Sequence, residues 1–287
     1  MRYESPTTTS EAATLLAGES GEAFVLAGGT DLLVRMKNMM VEPELVVDVK
    51  RIPTMRSIET TDDGGFRIGA AVPGVEVGEH EALGRAWPGI VEAAGLIGSD
   101  QIQGRCTIVG NVCNASPAAD TTPALIAADA QVEIIGPKGQ RTIPVAKVAT
   151  GPGQTSLTKG ELVEAILLPP RPANSGDAYL RFTPRTEMDI AVVGAAVSLT
   201  LKDGVVSKAR VALGAVAPTA IEVEPAAAAI VGSKLDDGAL DALVKACRAA
   251  CKPIDDRRGT IEYRTEVAGV LAKRAALIAF ERAGGIR

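Results

Sequence analysis

The stretch that most restricts this chain runs from residue 104 to 130, Gly-Arg-Cys-Thr-Ile-Val-Gly-Asn-Val-Cys-Asn-Ala-Ser-Pro-Ala-Ala-Asp-Thr-Thr-Pro-Ala-Leu-Ile-Ala-Ala-Asp-Ala. Small, hydroxyl and amide side chains surround Gly110 between Thr107 and Ser116, so a loop there brings backbone N–H groups close to a ligand and suits an anion. Asp120, Thr121 and Thr122 then offer cap oxygens, Pro123 fits a first helical position, and Ala124 to Ala130 propagate a helix. An earlier stretch has the same design. Phe24 to Ala27 reads as a short buried strand, Gly28-Gly29 breaks it, and Thr30-Asp31 cap an apolar helix through Leu32, Leu33 and Met36. Strand, double glycine, cap and helix make a phosphate cradle, although each glycine stretch taken alone is also an ordinary turn. Neither matches the common dinucleotide or nucleoside-triphosphate fingerprint.

The 287 residues, 46% apolar and 23% charged, suffice for one large core or two modest ones. A formal charge of -5 with scattered basic residues gives no footprint for nucleic acid and excludes that partner class. Met1 to Pro6 contains no apolar leader, and no run approaches the ~20 residues of a membrane span, so a cytoplasmic protein is expected. Cys106, Cys113, Cys247 and Cys251 fit neither a zinc nor an iron–sulfur spacing, and no metal is implied. Cys247 and Cys251 share a helix face, which permits a redox pair but reads first as two small core residues. His80, the single histidine, reads as a surface residue.

Taken in order, the chain predicts an α+β fold. A short strand and a helix over Ser10 to Leu16, with Ser10 as N-cap, precede the first glycine stretch, and Leu45 to Val49 forms a buried strand closing a βαβ-like unit near Ile52-Pro53. Asp63-Gly64-Gly65 turns a hairpin between Ser57 to Thr60 and Phe66 to Ala70, and helices follow over Val75 to Leu83 and Gly89 to Leu96. Val132 to Ile135, Arg141 to Ile143 and Leu162 to Leu168 are strands. Arg171 to Gly176 is the best boundary, dividing the chain into 1–176, with subdomains of about 1–53 and 54–176, and 177–287. The second part opens with apolar strands over Ile190 to Leu201 and Val205 to Val216, joined by Lys202-Asp203-Gly204. Helices over Glu222 to Ile230, Ala239 to Ala250 and Thr260 to Arg282 complete it, the last with Val267, Val270, Leu271, Ala275 and Ile278 facing inward.

Three groups of residues together resemble a known family. They are Ala27-Gly28-Gly29-Thr30-Asp31-Leu32-Leu33, the run Thr107-Ile108-Val109-Gly110-Asn111 leading into Asn114 to Asp120, and Asp189-Ile190-Ala191 before an apolar strand. In these, and in Asp256 to Gly259 and Glu262-Tyr263-Arg264, the chain resembles the FAD-binding medium subunits of molybdenum hydroxylases, the group containing the carbon monoxide dehydrogenase medium subunit and the flavin domain of xanthine dehydrogenase. The resemblance implies a two-part FAD-binding domain with glycine loops, plus a C-terminal domain of antiparallel sheet and helices. It also implies that Gly28, Gly29, Thr30, Asp31, Leu32 and Leu33 wrap the pyrophosphate from one side and Thr107 to Asn111, with Val109 and Gly110, from the other, and that Leu26 and Ala27 belong to the cofactor site. Asp120 would reach a polar part of FAD, and Ile97, Val163 and Arg181 would stand near its flavin or adenine end. A cation such as Arg181 near the ring would raise the flavin potential; an exposed strand arginine is the plain alternative. Arg185, Glu187 and Asp189 would join the same edge. Where the family commonly has paired glycines, Val109 precedes Gly110, and Cys106 replaces another glycine; a β-branched residue disfavours positive φ, so Val109 is expected to be extended.

The implied role is an electron-transfer subunit, relaying electrons from the iron–sulfur clusters of a partner, alongside a molybdopterin subunit, to NAD, quinone or oxygen. FAD would be held noncovalently. Two alternatives stand beside it. One is an independent FAD-dependent oxidoreductase, similar in flavin fold to the cell-wall precursor enolpyruvyl reductase, for which no serine or glutamate stands out as proton donor. The other is an assembly module without flavin, which would have no need of two glycine cradles.

Overall fold

Short strands with long crossovers begin the chain. In the structure, a computed structural model describing residues 1–186 and 188–286, these are β1 (Arg2–Glu4), β2 (Ala23–Leu26) and β3 (Leu45–Asp48), with α1 (Thr9–Gly18) and α2 (Leu32–Lys37) between them. They pair in parallel in the order β1-β3-β2, so only the central strand is buried throughout. The strand expected to be buried over 24–27 is therefore an edge: Val25 is exposed, and within β2 only Leu26 is buried. Thr8, not Ser10, caps α1 by accepting from Glu11 N at 3.2 Å. Helix α2 buries no residue, and Asp31 at its start makes no side-chain cap bond.

The second sheet is antiparallel. After the hairpin of β4 (Ile58–Thr60) and β5 (Phe66–Gly69) come six short helices: α3 (Gly74–Glu79), α4 (Glu81–Ala86), α5 (Pro88–Ala94), α6 (Asp100–Gln103), α7 (Ile108–Cys113) and α8 (Thr121–Ala127). Strands β6 (Gln131–Gly136) and β7 (Gly139–Pro144), a ribbon of β8 (Ala149–Gly151) and β9 (Gln154–Thr155), and β10 (Leu162–Leu168) follow. Strand β10 inserts between β5 and β6, giving the order β4-β5-β10-β6-β7 with a register shift between Val163 and Ala165. Two expectations change here. The helix over 75–83 is broken at His80, whose Nδ1 accepts from Leu83 N at 3.1 Å and caps α4; this half-buried ring also meets Phe66 edge-on, so it is no free surface residue. The loop expected over 107–116 is largely helix α7. Thr107 Oγ1 accepts from Gly110 N at 2.9 Å and starts the turn, leaving Val109 helical and buried rather than extended.

The third sheet runs in sequence order through β11 (Ser175–Phe182), β12 (Val193–Lys202), β13 (Val205–Gly214) and β14 (Ile221–Glu222), all antiparallel. Asp203 and Gly204, both at positive φ, close the β12–β13 hairpin as its two-residue turn demands. Helices α9 (Glu224–Ile230), α10 (Asp237–Ala250) and α11 (Ile261–Arg282) follow. Helix α11 lies over β11 and β12 on an alanine stripe that includes Ala268, Ala272, Ala275 and Ala279, whereas Val270, expected inside, is exposed. The approach is close because Gly176 lacks a side chain: a Cβ there would lie 1.9 Å from the Ala279 carbonyl oxygen. Helix α8 packs against β12 and β13 as well, so β12 is buried without a break from Val193 to Val197 and alternates only beyond it, through Ser198, Thr200 and Lys202. Two apolar cores result, and Tyr179, Ala196 and Ala212 of the third sheet belong to the first. Cys247 is buried in the second, and the Cys251 thiol donates to its carbonyl at 3.2 Å.

Candidate cofactor site

The end of β2 meets the start of α7, and the two glycine stretches touch there. A Cβ on Gly28 would lie 2.0 Å from the Arg105 carbonyl oxygen and 3.0 Å from Cys106 Cα, so the glycine is required by backbone-to-backbone contact between the stretches. Gly29 has φ +81, which a residue with a side chain adopts only at a cost. Among the described residues, no group accepts from the N–H of Gly28, Gly29, Thr30, Asp31 or Leu32, and the N–H groups of Ile108 and Val109 are likewise unpaired. Leu32, Ile108 and Val109 are orphan donors of two helix starts, and Gly28 to Asp31 lead into the first of them.

Between them opens a cleft of about 400 Å³, within the range of ligand sites. Ala27, Gly28, Gly29, Thr30, Asp31 and Leu32 form one wall; Thr107, Val109, Gly110 and Asn111 form the facing one; Ile97 and Val163 add apolar surface. The structure keeps four of the expected residues off these walls. Leu26 is buried beneath Gly29, and Leu33 is 48% exposed on α2. Asp120 and Arg181 are paired with each other: Arg181 Nη1 meets Asp120 Oδ2 at 2.9 Å, and Tyr179 Oη donates to Asp120 Oδ1 at 2.9 Å. Their side chains are 10% and 7% exposed, so Arg181 is not the exposed strand arginine of the plain alternative, and Asp120 bonds β11 rather than capping α8. Burial pushes the Asp120 carboxyl up against the pull of Arg181, and burial together with Asp120 pushes the Tyr179 phenol well above its ordinary value. Nearby, Arg185 and Arg258 both reach Asp189; Glu187, expected at this edge, lies outside the described residues.

Other residues of the cleft escaped sequence reasoning. Phe24 and Arg35 line it, with the Arg35 guanidinium 5.5 Å from the ring centroid, and Gly153 and Thr155 of the β8–β9 ribbon close its far side. The Gly-Pro-Gly turn at 151–153 was a readable signal for the ribbon; the position of Phe24 on an edge strand was not. Asn111 uses its Oδ1 to accept from Thr121 N at 3.1 Å and Thr121 Oγ1 at 2.6 Å, fastening α7 to α8. Cys106 and Cys113 also line the cleft, and burial pushes their thiols up to about 11 and about 12, so both stay protonated and unreactive at neutral pH. Among the described residues, no group of three or more His, Cys, Asp or Glu is placed to hold a metal ion.

Unpaired donors on two facing walls, with glycines where a Cβ would collide, fit a pyrophosphate, and the apolar surface beyond fits ring systems. The chain matches the family model described as FAD binding domain in molybdopterin dehydrogenase over residues 1–171, and that described as CO dehydrogenase flavoprotein C-terminal domain over 178–279. It belongs to the FAD-binding medium subunits of the molybdenum hydroxylases. FAD is the cofactor, and the family's members are oxidoreductase subunits of molybdopterin-dependent dehydrogenases. The carbon monoxide dehydrogenase medium chain of Afipia carboxidovorans is 35% identical over 98% of this chain and 97% of that one. The xanthine dehydrogenase FAD-binding subunit of Escherichia coli O157:H7 is 31% identical over 99% and 97%. The fold of this medium subunit superposes with a TM-score of 0.94 on a chain of carbon monoxide dehydrogenase from Hydrogenophaga pseudoflava, at 35% identity and 98% coverage of both. Among the described residues, no helix is long and apolar enough to cross a membrane.

Proposed function

We propose that this chain is the electron-relay subunit of a multi-subunit molybdenum hydroxylase, taking electrons from iron–sulfur clusters of a partner and delivering them to an external acceptor such as NAD, quinone or oxygen. The single observation that carries the cofactor's placement is that residues with unpaired backbone N–H groups, Gly28 to Leu32 and Val109, line one cleft from two sides. When bound, FAD supplies chemistry that can exchange electrons singly or in pairs. The chain's own residues hold it. The free backbone N–H groups of Gly28 to Leu32 on one wall and of Val109 on the other hold the pyrophosphate, at the positive ends of α2 and α7, while the Gly110 and Asn111 N–H groups stay engaged with Thr107. Ile97 and Val163 shield the rings from water, while Asp120, Tyr179 and Arg181 act behind the walls by fixing α8 to β11. In this reading, residues 1–176 form the FAD-binding domain and 177–287 a domain that braces it.

The placement of the four cysteines, two beside the cleft and two on α10 and its end, supports the assignment of the clusters to a partner, because an iron–sulfur centre needs a set of converging thiolates. The test is reconstitution. The isolated chain should bind FAD noncovalently and be bleached by dithionite, yet stay oxidised with organic hydroxylase substrates until cluster-bearing and molybdopterin-bearing subunits are added. Turnover of an organic substrate by the lone chain at a comparable rate would replace the relay with an independent oxidoreductase.

A further inference from the structure

We propose that Lys50 is a positioning residue for the first glycine loop, turning the Ala27–Gly28 peptide so that its N–H faces the bound dinucleotide. The inference rests on the placement of FAD in the cleft argued above. Lys50 lies in the helical turn Val49–Arg51 that follows β3. Its Nζ donates to the Ala27 carbonyl oxygen at 3.1 Å and meets Asp48 Oδ1 at 2.8 Å. Asp48 Oδ1 also accepts from Lys50 N at 3.0 Å, and Asp48 Oδ2 accepts from Tyr3 Oη. Tyr3 stands on β1, Asp48 ends β3, and Ala27 follows β2, so one chain of bonds crosses the whole first sheet and ends on the loop.

The geometry gives this chain a consequence in the cleft. Lys50 lines a separate pit of about 320 Å³ together with Arg56, Glu76 and Arg105, and Ala27 and Gly28 line both pit and cleft. They are the partition. In a planar trans peptide the N–H points opposite to the C=O, and no described peptide bond is cis. With its carbonyl drawn to the ammonium on the pit side, the Ala27–Gly28 unit presents its N–H to the cleft, where no described group accepts from it. A cation on the carbonyl also polarises the peptide and strengthens that N–H as a donor to an anion. The Arg105 carbonyl blocks any side chain at Gly28, so the loop is held on two sides.

Lys50→Met keeps the stem and removes the ammonium, and Lys50→Arg keeps a donor. Apo full-length chains should be titrated with FAD, following flavin fluorescence, and their apo unfolding midpoints measured by circular dichroism. The expected result is FAD binding weakened about tenfold or more in Lys50→Met, an apo midpoint close to the parent's, and substantial recovery in Lys50→Arg. Unchanged FAD affinity in a folded Lys50→Met chain would overturn the proposal. If Lys50→Met does not fold, Tyr3→Phe decides, since it removes the phenol's bonds to Asp48 and Ser5 and leaves Lys50 itself intact: weaker FAD binding in a folded apo chain supports the relay, and parental affinity sinks it. Gly29→Val separates the two readings. If it loses FAD while Lys50→Met keeps it, only the role of Lys50 falls; if both keep it, the placement of FAD falls as well.

Discussion

Gly28 and Gly29 are glycines for different reasons, and the difference is measurable. At Gly28 a Cβ would collide with the Arg105 carbonyl, so Gly28→Ala should separate the two stretches, cost about 1–3 kcal/mol in urea unfolding and weaken FAD binding. At Gly29 the obstacle is conformational: φ is +81, and Gly29→Val should cost about 1–2 kcal/mol while abolishing flavin retention on gel filtration. Asp177 is a different case. Arg171 Nη2 meets it at 3.0 Å and Gly89 N donates to it at 2.9 Å, yet burial pushes its carboxyl up to about 6 against the pull of Arg171. The folded chain therefore binds this proton more tightly than an unfolded one with the ordinary value of 3.8. Its contribution to stability is greatest below that value and is lost as pH rises through about 6. Glu161 has the opposite sign. Held down to about 2, chiefly by Arg141, it contributes fully above 4.5 and loses that contribution as pH falls toward 2. Urea midpoints of Asp177→Asn should accordingly lack the parent's decline between about pH 4 and pH 6 and keep the loss at lower pH.

Helix α7 shows what a sequence pattern leaves open at the scale of an element. Small and polar residues around Gly110 are compatible with a loop, and the outcome turned on one long-range fact: Thr107 is buried, so its hydroxyl is turned to the Gly110 N–H instead of water. Thr107→Ala should cost ~1 kcal/mol of stability and weaken FAD binding, because the first turn that aims the Ile108 and Val109 donors would fray. Thermal unfolding with and without FAD checks both. His80 divides α3 from α4 in the same way, by offering Nδ1 to a backbone donor that only the bent chain brings within reach. The β12–β13 hairpin, in contrast, was legible from Lys202-Asp203-Gly204, since its turn conformation is a local property of those residues.

Across the whole molecule, the first core is completed by Tyr179, Ala196 and Ala212 of the third sheet, and the Asp120–Arg181 pair joins elements from both family matches. Neither half closes its own apolar surface. Calorimetry of the apo chain should therefore show one cooperative transition, coincident by far-UV and near-UV circular dichroism, in place of two. Saturating FAD should raise it, by about 2.7 kcal/mol at a hundredfold excess over Kd.

The sequence by itself determined the elements whose causes are local: the strand at Leu45 to Asp48, the hairpin turns at Asp63-Gly64-Gly65 and Asp203-Gly204, the alanine-rich C-terminal helix, and the glycine break after the second strand. It also carried the family and hence FAD. Only the tertiary structure decided which of these groups meet. Val270 has the apolar character of a core residue, but it lies on the opposite face of α11 from Ala268, Ala272, Ala275 and Ala279, and the sheet packs against the alanine face. Asp120, inside the Asn114 to Asp120 run, and Arg181, placed by counting from it, are both expected near FAD; that they meet each other at the contact of α8 and β11 is visible only in the fold, where a charge withdrawn from water must find its counterion.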